Sequence, residues 1–474
     1  MRLICFRNEC TYLKTDGPEC NQKNSEDGES MKTIFLMRHG ETLFNVMDVN
    51  QGQCDSPLTE NGINQALAAK EWFKNQKIHF DSVYSSTAER ACDTAWLVSW
   101  MPYERKKGLK EIFLGTKEAS PNSENPEYPY GDYFVQFGGE DLDAFTDRIY
   151  GAVREIARED TGETILIVTH GMAMRRFLRA VGYRQDGTGF IGNCGIVQLQ
   201  YEEDTFEVRK IINPAGTAQN INILGKFCGK RDVERLTSEQ LQKKYGIAQA
   251  DIMVLFGGSI LAGGDILAEA IKEKIAKRYV IVGGVGHTTE TLRQKVQNEY
   301  SQIRTENLSE AEVFSRYISE VYGCQADFLE KDSTNCGNNI TYLLELLKEN
   351  NLACESIILC QDATMQNRMD AGMKKYAPDI KIINFASYRA EVVQKEGRLS
   401  YIRPIHGMWD MDRYVQLLMG EIPRLTDDEN GYGPKGKDFI AHVEIPEEVK
   451  KAFSELKEVY GEKTREADPH YASK

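Results

Sequence analysis

Residues 33–42 read Thr-Ile-Phe-Leu-Met-Arg-His-Gly-Glu-Thr. The run Thr33 to Met37 has the apolar, β-rich composition of a buried strand, and Arg38-His39-Gly40-Glu41-Thr42 follows where that strand ends. Parallel α/β sheets place ligand sites at the carboxyl ends of their strands, so this junction is suited to chemistry. A neutral imidazole can attack phosphorus, and an adjacent guanidinium can donate two parallel hydrogen bonds to phosphoryl oxygens. His39 and Arg38 offer that pair, although a lone histidine at a strand end is more often structural.

Outward from this junction the pattern repeats. A helical pattern begins near Thr59, a short strand at Ser82 to Tyr84 feeds a helix containing Arg90, and a third strand, Thr164 to Thr169, feeds a helix with Arg175 and Arg176. Strands alternating with helices imply parallel α/β packing. Two further strand-like segments, Gly195 to Tyr201 and Phe206 to Ile212, precede a break at Asn213-Pro214-Ala215-Gly216. The rhythm then restarts. Asp251 to Phe256 runs into Gly257-Gly258, and Tyr279 to Val282 into Gly283-Gly284-Val285-Gly286-His287. The expectation is therefore two three-layer α/β/α domains at 31–213 and 217–450, with a disordered extension at 1–30 and a helix end and frayed tail at 451–474. A chain of 474 residues exceeds the ~250 to 300 at which one core usually divides.

With 41% hydrophobic and 27% charged residues the composition is that of a globular protein. The net charge of -14, without a Lys/Arg block, argues against nonspecific nucleic-acid or anionic-membrane partners, which need positive potential. Apolar runs such as Thr164 to Val168 and Ile252 to Phe256 are far shorter than the ~20 residues that span a bilayer, and the first thirty residues lack a secretory pattern. Eleven cysteines without a repeating framework fit reduced thiols and a cytoplasmic location. Cys5, Cys10 and Cys20 lack the spacing of a zinc site.

Further segments add to Arg38 and His39: Gly52, Asp55, Pro57-Leu58-Thr59 and Gly62, then Ser85-Ser86, Arg90-Ala91 and Thr94-Ala95, then Leu109-Lys110-Glu111 and Gly115, and finally Thr169-His170-Gly171. In this order, with Gly139-Glu140, Phe145, Arg148 and Asn193, they resemble the histidine phosphatase, or phosphoglycerate mutase-like, superfamily over residues 31–212. The resemblance implies that His39 is a nucleophile that becomes phosphorylated and that Arg38, Arg90 and His170 complete a phosphate pocket. It makes Glu111 the proton donor to the leaving group. Asn45, Thr42, Gln51 and Gly171 are further candidates for substrate contact, and Glu140 is either a pocket residue or a helix cap. Two arginines and two imidazoles can neutralise a phosphoryl group, so no metal or other cofactor is expected for this reaction. Metal ligation by His39 and His170 is the competing expectation, without a dinuclear Asp/His pattern around them. The substrate implied is a small phosphorylated metabolite. Hydrolysis is favoured over mutase transfer by the compact connection from Glu111 to His170, and a non-catalytic phospholigand-binding module is the third alternative. Tyr128, Tyr130, Tyr133, Phe134 and Phe137 in that connection either form an aromatic lid or pack the loop.

In the second half, polar clusters stand at predicted loop-to-helix junctions: Glu310-Ala311-Glu312, Asp332 to Asn339, and Gln361 to Arg368. With Gly407-Met408-Trp409 and Gly420 to Leu425 they resemble the YdcF-like family of Rossmann-like domains. For that family S-adenosylmethionine binding has been suggested. The ligand candidates are Asp251, Gly257, Gly258, Gly284, His287, Glu312, Asn335, Asn339, Gln361, Asp362 and Arg368, for a nucleotide-like or other polar ligand.

Overall fold

A computed structural model describes residues 31–127, 129–183 and 191–461 of the chain. The extension at 1–30 with its three cysteines, the tail beyond 461 and Tyr128 lie outside them.

Strand β1 (Lys32–Arg38) shows why residues 33–37 form a central strand. Successive side chains leave opposite faces of a sheet. Ile34 and Leu36 enter one hydrophobic cluster, with the helices Leu142–Glu159 and Gly171–Ala180. Phe35 and Met37 enter another, with the helices Glu60–Asn75 and Glu89–Ser99. Covered on both faces, the strand must be apolar throughout, and each buried large side chain contributes ~1.5 to 3 kcal/mol.

The other strands of this sheet are β2 (Ser82–Ser86), β3 (Glu104–Lys106), β4 (Thr164–Thr169), β5 (Ile196–Glu202) and β6 (Thr205–Ile212), in the order β3-β2-β4-β1-β5-β6. The first four are parallel, but β5 runs antiparallel to β1 and β6 antiparallel to β5. The parallel packing expected of the strand-helix alternation holds for those four strands, and the last two segments, which have only a Glu/Asp turn between them, add an antiparallel hairpin. The reason is local: the two residues between β5 and β6, Glu203 and Asp204, both have positive φ (47° and 61°), the geometry of a tight hairpin.

A second sheet contains β7 (Ala250–Phe256), β8 (Ala276–Val282), β9 (Phe328–Glu330), β10 (Ser356–Cys360) and β11 (Lys381–Asn384) in the order β11-β10-β7-β8-β9, all parallel. Met253 and Leu255 pack to one face, Ile252, Val254 and Phe256 to the other, giving again a three-layer unit. The first strand in sequence, β7, lies between β8 and β10, so chain direction across the sheet reverses beside it. A further cluster joins the helices Thr217–Cys228, Met411–Leu425 and Glu447–Tyr460 with the hairpin β12 (Val392–Lys395) and β13 (Arg398–Tyr401). At the hairpin tip the Glu396 amide donates to Asn64 Oδ1 of the Glu60–Asn75 helix at 3.1 Å. Among the described residues no helix is long and apolar enough to cross a membrane.

Candidate active site

β2, β4 and β1 are neighbours and end at Ser86, Thr169 and Arg38, so Ser86, His170 and the Arg38-His39 pair are delivered to one edge of the first sheet. The Glu89–Ser99 helix, which follows β2, adds Arg90 in its first turn.

His39 is 3% exposed, and its Nδ1 lies 2.7 Å from the Gly40 carbonyl oxygen. A carbonyl can only accept, so Nδ1 carries the proton. Nε2 in turn accepts the Arg90 Nε–H at 3.3 Å. The backbone therefore fixes the tautomer with Nε2 unprotonated, its lone pair held by the Arg90 Nε–H. The His170 ring stands 5.2 Å away, centre to centre. Its Nδ1 accepts from Arg90 Nη2 at 3.1 Å, which puts the proton on Nε2, and Nε2 is 2.8 Å from Ser86 Oγ. Both imidazoles are held well below the ordinary histidine pKa, first by burial and then by the Arg90 charge, so both are neutral at physiological pH.

Arg90 is 1% exposed and immobilised: Nη1 pairs with Asp55 at 3.0 Å and reaches the Cys54 carbonyl at 2.8 Å, while Nη2 reaches that of Gly52 at 2.9 Å. Arg38 donates through Nη1 to the Ile191 carbonyl at 2.9 Å. Burial pushes its pKa down to about 10, still well above neutrality, so it remains a cation.

Glu111 caps the amino end of the Gly171–Ala180 helix, accepting from the amides of Met172 and Ala173 at 3.0 and 3.1 Å and from that of Ile112 at 3.0 Å. Those amides favour the carboxylate, yet burial outweighs them and raises its pKa. The loop carrying Glu111 is braced by Arg148, which donates to the carbonyls of Gly108, Lys110 and Glu111 at 2.9 to 3.1 Å and pairs with Glu140 at 2.7 and 2.8 Å. Glu140 is thus no helix cap, and Asp141 takes that role.

The remaining candidates differ in what they can do. Thr42 and Asn45 close a reciprocal cap on the short helix Leu43–Val46, and Gln51 Nε2 also donates to the Thr42 hydroxyl, so Thr42 is occupied structurally. Asn45 accepts through Oδ1, from Thr42 and from Asn193, and its Nδ2 is the part left to donate to a ligand. Gly171 permits close packing: a Cβ there would lie 3.1 Å from Arg38 Nε. Phe134 is buried in the core with Tyr130 and Tyr133 edge-on to it at 5.3 and 5.1 Å, so these aromatics pack the loop rather than form a lid. Ser86, Asp55 and Arg148 have roles that sequence reasoning did not assign, although each stood in a quoted motif. Among the described residues no group of three or more His, Cys, Asp or Glu could hold a metal ion.

In the second sheet a cavity of about 690 Å³ opens at the carboxyl ends of β7, β8 and β9. Gly257, Gly284, His287, Asn335, Asn339 and Arg368 line it. The other candidates do not. Asp251 lies at the opposite end of β7, paired with Lys277 at 2.7 Å and accepting from the Glu355 and Ser356 amides at 3.0 Å. Glu312 closes a capping box with Ser309. Asp362 accepts the hydroxyls of Thr364 and Tyr388 at 2.7 and 2.8 Å, Gln361 Oε1 accepts the Asp362 amide at 2.6 Å, and Gly258 stands beside Gln361. Arg368 lines the cavity but is paired with buried Glu421 at 2.7 and 2.9 Å. Glu310, not singled out, lines it as well. The Ser309-x-x-Glu312 spacing of a capping box was the signal that separates the two glutamates.

Comparison with known proteins finds relatives of the segment that carries the first sheet. The profile of the histidine phosphatase superfamily (branch 1) matches residues 34–214. The Broad-specificity phosphatase YOR283W of Saccharomyces cerevisiae is 29% identical over 202 residues, covering 40% of this chain and 88% of that protein. The Metal-independent phosphoserine phosphatase of Arabidopsis thaliana is 31% identical over 182 residues, 35% of this chain and 76% of that protein. The Probable phosphoglycerate mutase GpmB of Yersinia pestis is 28% identical over 209 residues, 41% of this chain and 96% of that protein.

Proposed function

Through residues 34–214 this chain belongs to the histidine phosphatase superfamily of phosphoryl-transfer enzymes, and from that premise we propose that it hydrolyses a small phosphate monoester through a phosphohistidine on His39. The observation that carries the proposal is the His39 ring held between the Gly40 carbonyl and Arg90, with Nε2 unprotonated. When a phosphoryl oxygen takes over the Arg90 Nε–H, the freed Nε2 lone pair attacks phosphorus and the bond to the ester oxygen breaks. Glu111, whose acid form burial favours, gives its proton to that oxygen. The resulting carboxylate then takes a proton from a water whose oxygen attacks the phosphohistidine, releasing phosphate and restoring His39. Arg38, Arg90 and His170 surround the phosphoryl oxygens as their charge develops, and no metal is invoked.

Hydrolysis rather than transfer to a second acceptor is supported by the short connection between Glu111 and His170. Because one relative carries the name of a phosphoserine phosphatase and another that of a phosphoglycerate mutase, phosphorylated three-carbon acids are the first substrates to try. The test is hydrolysis of 4-nitrophenyl phosphate by the full chain in the presence of a chelator. Wild type turns over, and undiminished activity of His39→Ala contradicts the proposal.

For the second sheet we propose a YdcF-like domain that binds a nucleotide-like or other polar ligand, S-adenosylmethionine being the one the resemblance suggests. The gathering of six candidate residues on one cavity supports it. A ligand that binds only the folded chain raises its melting temperature, so a shift with S-adenosylmethionine is the expected result.

A further inference from the structure

Glu310 is the only acidic residue among the described residues lining the cavity of the second sheet. It is 7% exposed, and its Oε1 accepts the hydroxyls of Thr288 and Thr289 at 2.7 and 3.0 Å. A Cβ on Gly257 or Gly283 would run into its side chain, so two strand ends are kept bare to seat it. Among the described residues it makes no ion pair. Arg293 on the adjoining Thr289–Glu299 helix is turned to the Leu308 carbonyl and Glu290. Burial pushes the Glu310 carboxyl up to about 7.

The rest of the wall favours negative charge. The first turn of the helix Cys336–Glu349 opens on the cavity through Cys336, Gly337 and Asn338. Asn335 accepts the amides of Asn338 and Asn339, at 3.0 and 2.9 Å, and leaves those of Cys336 and Gly337 for a ligand. Arg424 and Lys437 add positive charge, and Tyr376, Tyr432 and Phe439 form an apolar wall.

We propose that this cavity binds an organic anion with a flat apolar body, the anionic group on the first turn of the Cys336–Glu349 helix and hydrogen-bonded by Glu310 in its acid form, so that ligand and proton bind together. This rests on the cavity being a ligand site. The second observation beside the helix terminus is the carboxyl itself: buried on the cavity wall, it spends Oε1 on the two threonines, while among the described residues Oε2 has no hydrogen-bond partner; an ionised Glu310 would repel the anion, whereas the acid donates to it. His287, Arg424 and Lys437 face the same space.

The test is calorimetry of the full chain with adenosine 3′,5′-cyclic phosphate, a diester of fixed single charge that a monoesterase does not consume, against uncharged adenosine. The cyclic phosphate is expected to bind at least about tenfold more tightly than adenosine, and to weaken about tenfold between about pH 6 and about pH 8, one proton being linked to binding. Glu310→Gln should bind with a flat pH profile, His287→Asn should keep the slope, and Gly337→Val should lose binding. Equal binding of adenosine, or a flat or inverted slope in wild type, overturns the proposal and leaves a ligand site of other chemistry. Absence of binding by both probes at millimolar concentration contradicts the proposal and the ligand-site reading together.

Discussion

Ser86 Oγ lies 2.8 Å from Nε2 of His170, on the side of the ring opposite the Nδ1 that receives an Arg90 N–H. The two contacts together dictate the tautomer and tilt of His170, so Ser86 is a positioning residue. Ser86→Ala should lower kcat about fivefold with little change in KM, the equivalent of about 1 kcal/mol for one net hydrogen bond. Steady-state kinetics check this, and Ser86→Thr, which restores the hydroxyl, should recover most of the loss.

Two glycines of the site separate stability from activity. A Cβ on Gly40 would lie 2.5 Å from the backbone oxygen of Gly62, which cannot retreat without moving the Glu60–Asn75 helix. Gly40→Ala should therefore destabilise the fold, by about 3 kcal/mol if overpacking is of the usual size. At Gly171 the nearest atoms to the added carbon belong to the Arg38 side chain, the first being Nε at 3.1 Å. Gly171→Ala should leave the denaturant midpoint almost unchanged while kcat/KM falls by about tenfold or more.

The buried imidazoles make stability depend on pH. Both His39 and His170 have pKa values depressed below 6.5 in the folded chain, so beneath 6.5 the unfolded chain binds more protons. Their contribution is complete above pH 6.5 and is lost as pH falls, at about 1.4 kcal/mol per pH unit for each ring. Glu111 has the opposite sign: its folded pKa is raised above 4.5, so its contribution is lost as pH rises from there. Urea unfolding from about pH 7 down to pH 5 should show stability falling with acid, with a shallower slope in His170→Asn.

Arg148 holds three carbonyls, those of Gly108, Lys110 and Glu111, in the loop that presents Glu111. Removing it leaves those acceptors and Glu140 without their cation. Arg148→Met should cost about 2 kcal/mol of stability, discounted for a pair that is partly solvated, and should lower kcat through displacement of Glu111. Thermal unfolding and kinetics of the same variant test both effects.

Much of this was legible in the sequence because residues 33–37 are apolar on both faces, which only a doubly covered strand requires, and because Thr59, Gly171 and the strand ends mark turns by their chemistry. The Glu203-Asp204 turn between β5 and β6 was legible, but the direction of β5 against β1 was not, because nothing in its apolar pattern distinguishes parallel from antiparallel pairing. Asp251 and Glu312 looked like ligand residues because a carboxylate near a strand or helix end can serve a ligand or the backbone. Here Asp251 ties β7 to Lys277 and Ser356, and Glu312 caps its own helix. Asp251 is set apart by standing at the amino end of its strand, and Glu312 by the Ser309-x-x-Glu312 capping box that leaves Glu310 to the cavity.

The central claim is covalent chemistry at His39, and the direct measurement is rapid quenching of the full chain during turnover of a ³²P-labelled monoester, followed by peptide mapping in alkali. An acid-labile, alkali-stable phosphate on the peptide containing His39, absent from His39→Ala, is the result predicted. Turnover without any such label, or label retained in His39→Ala, would contradict it.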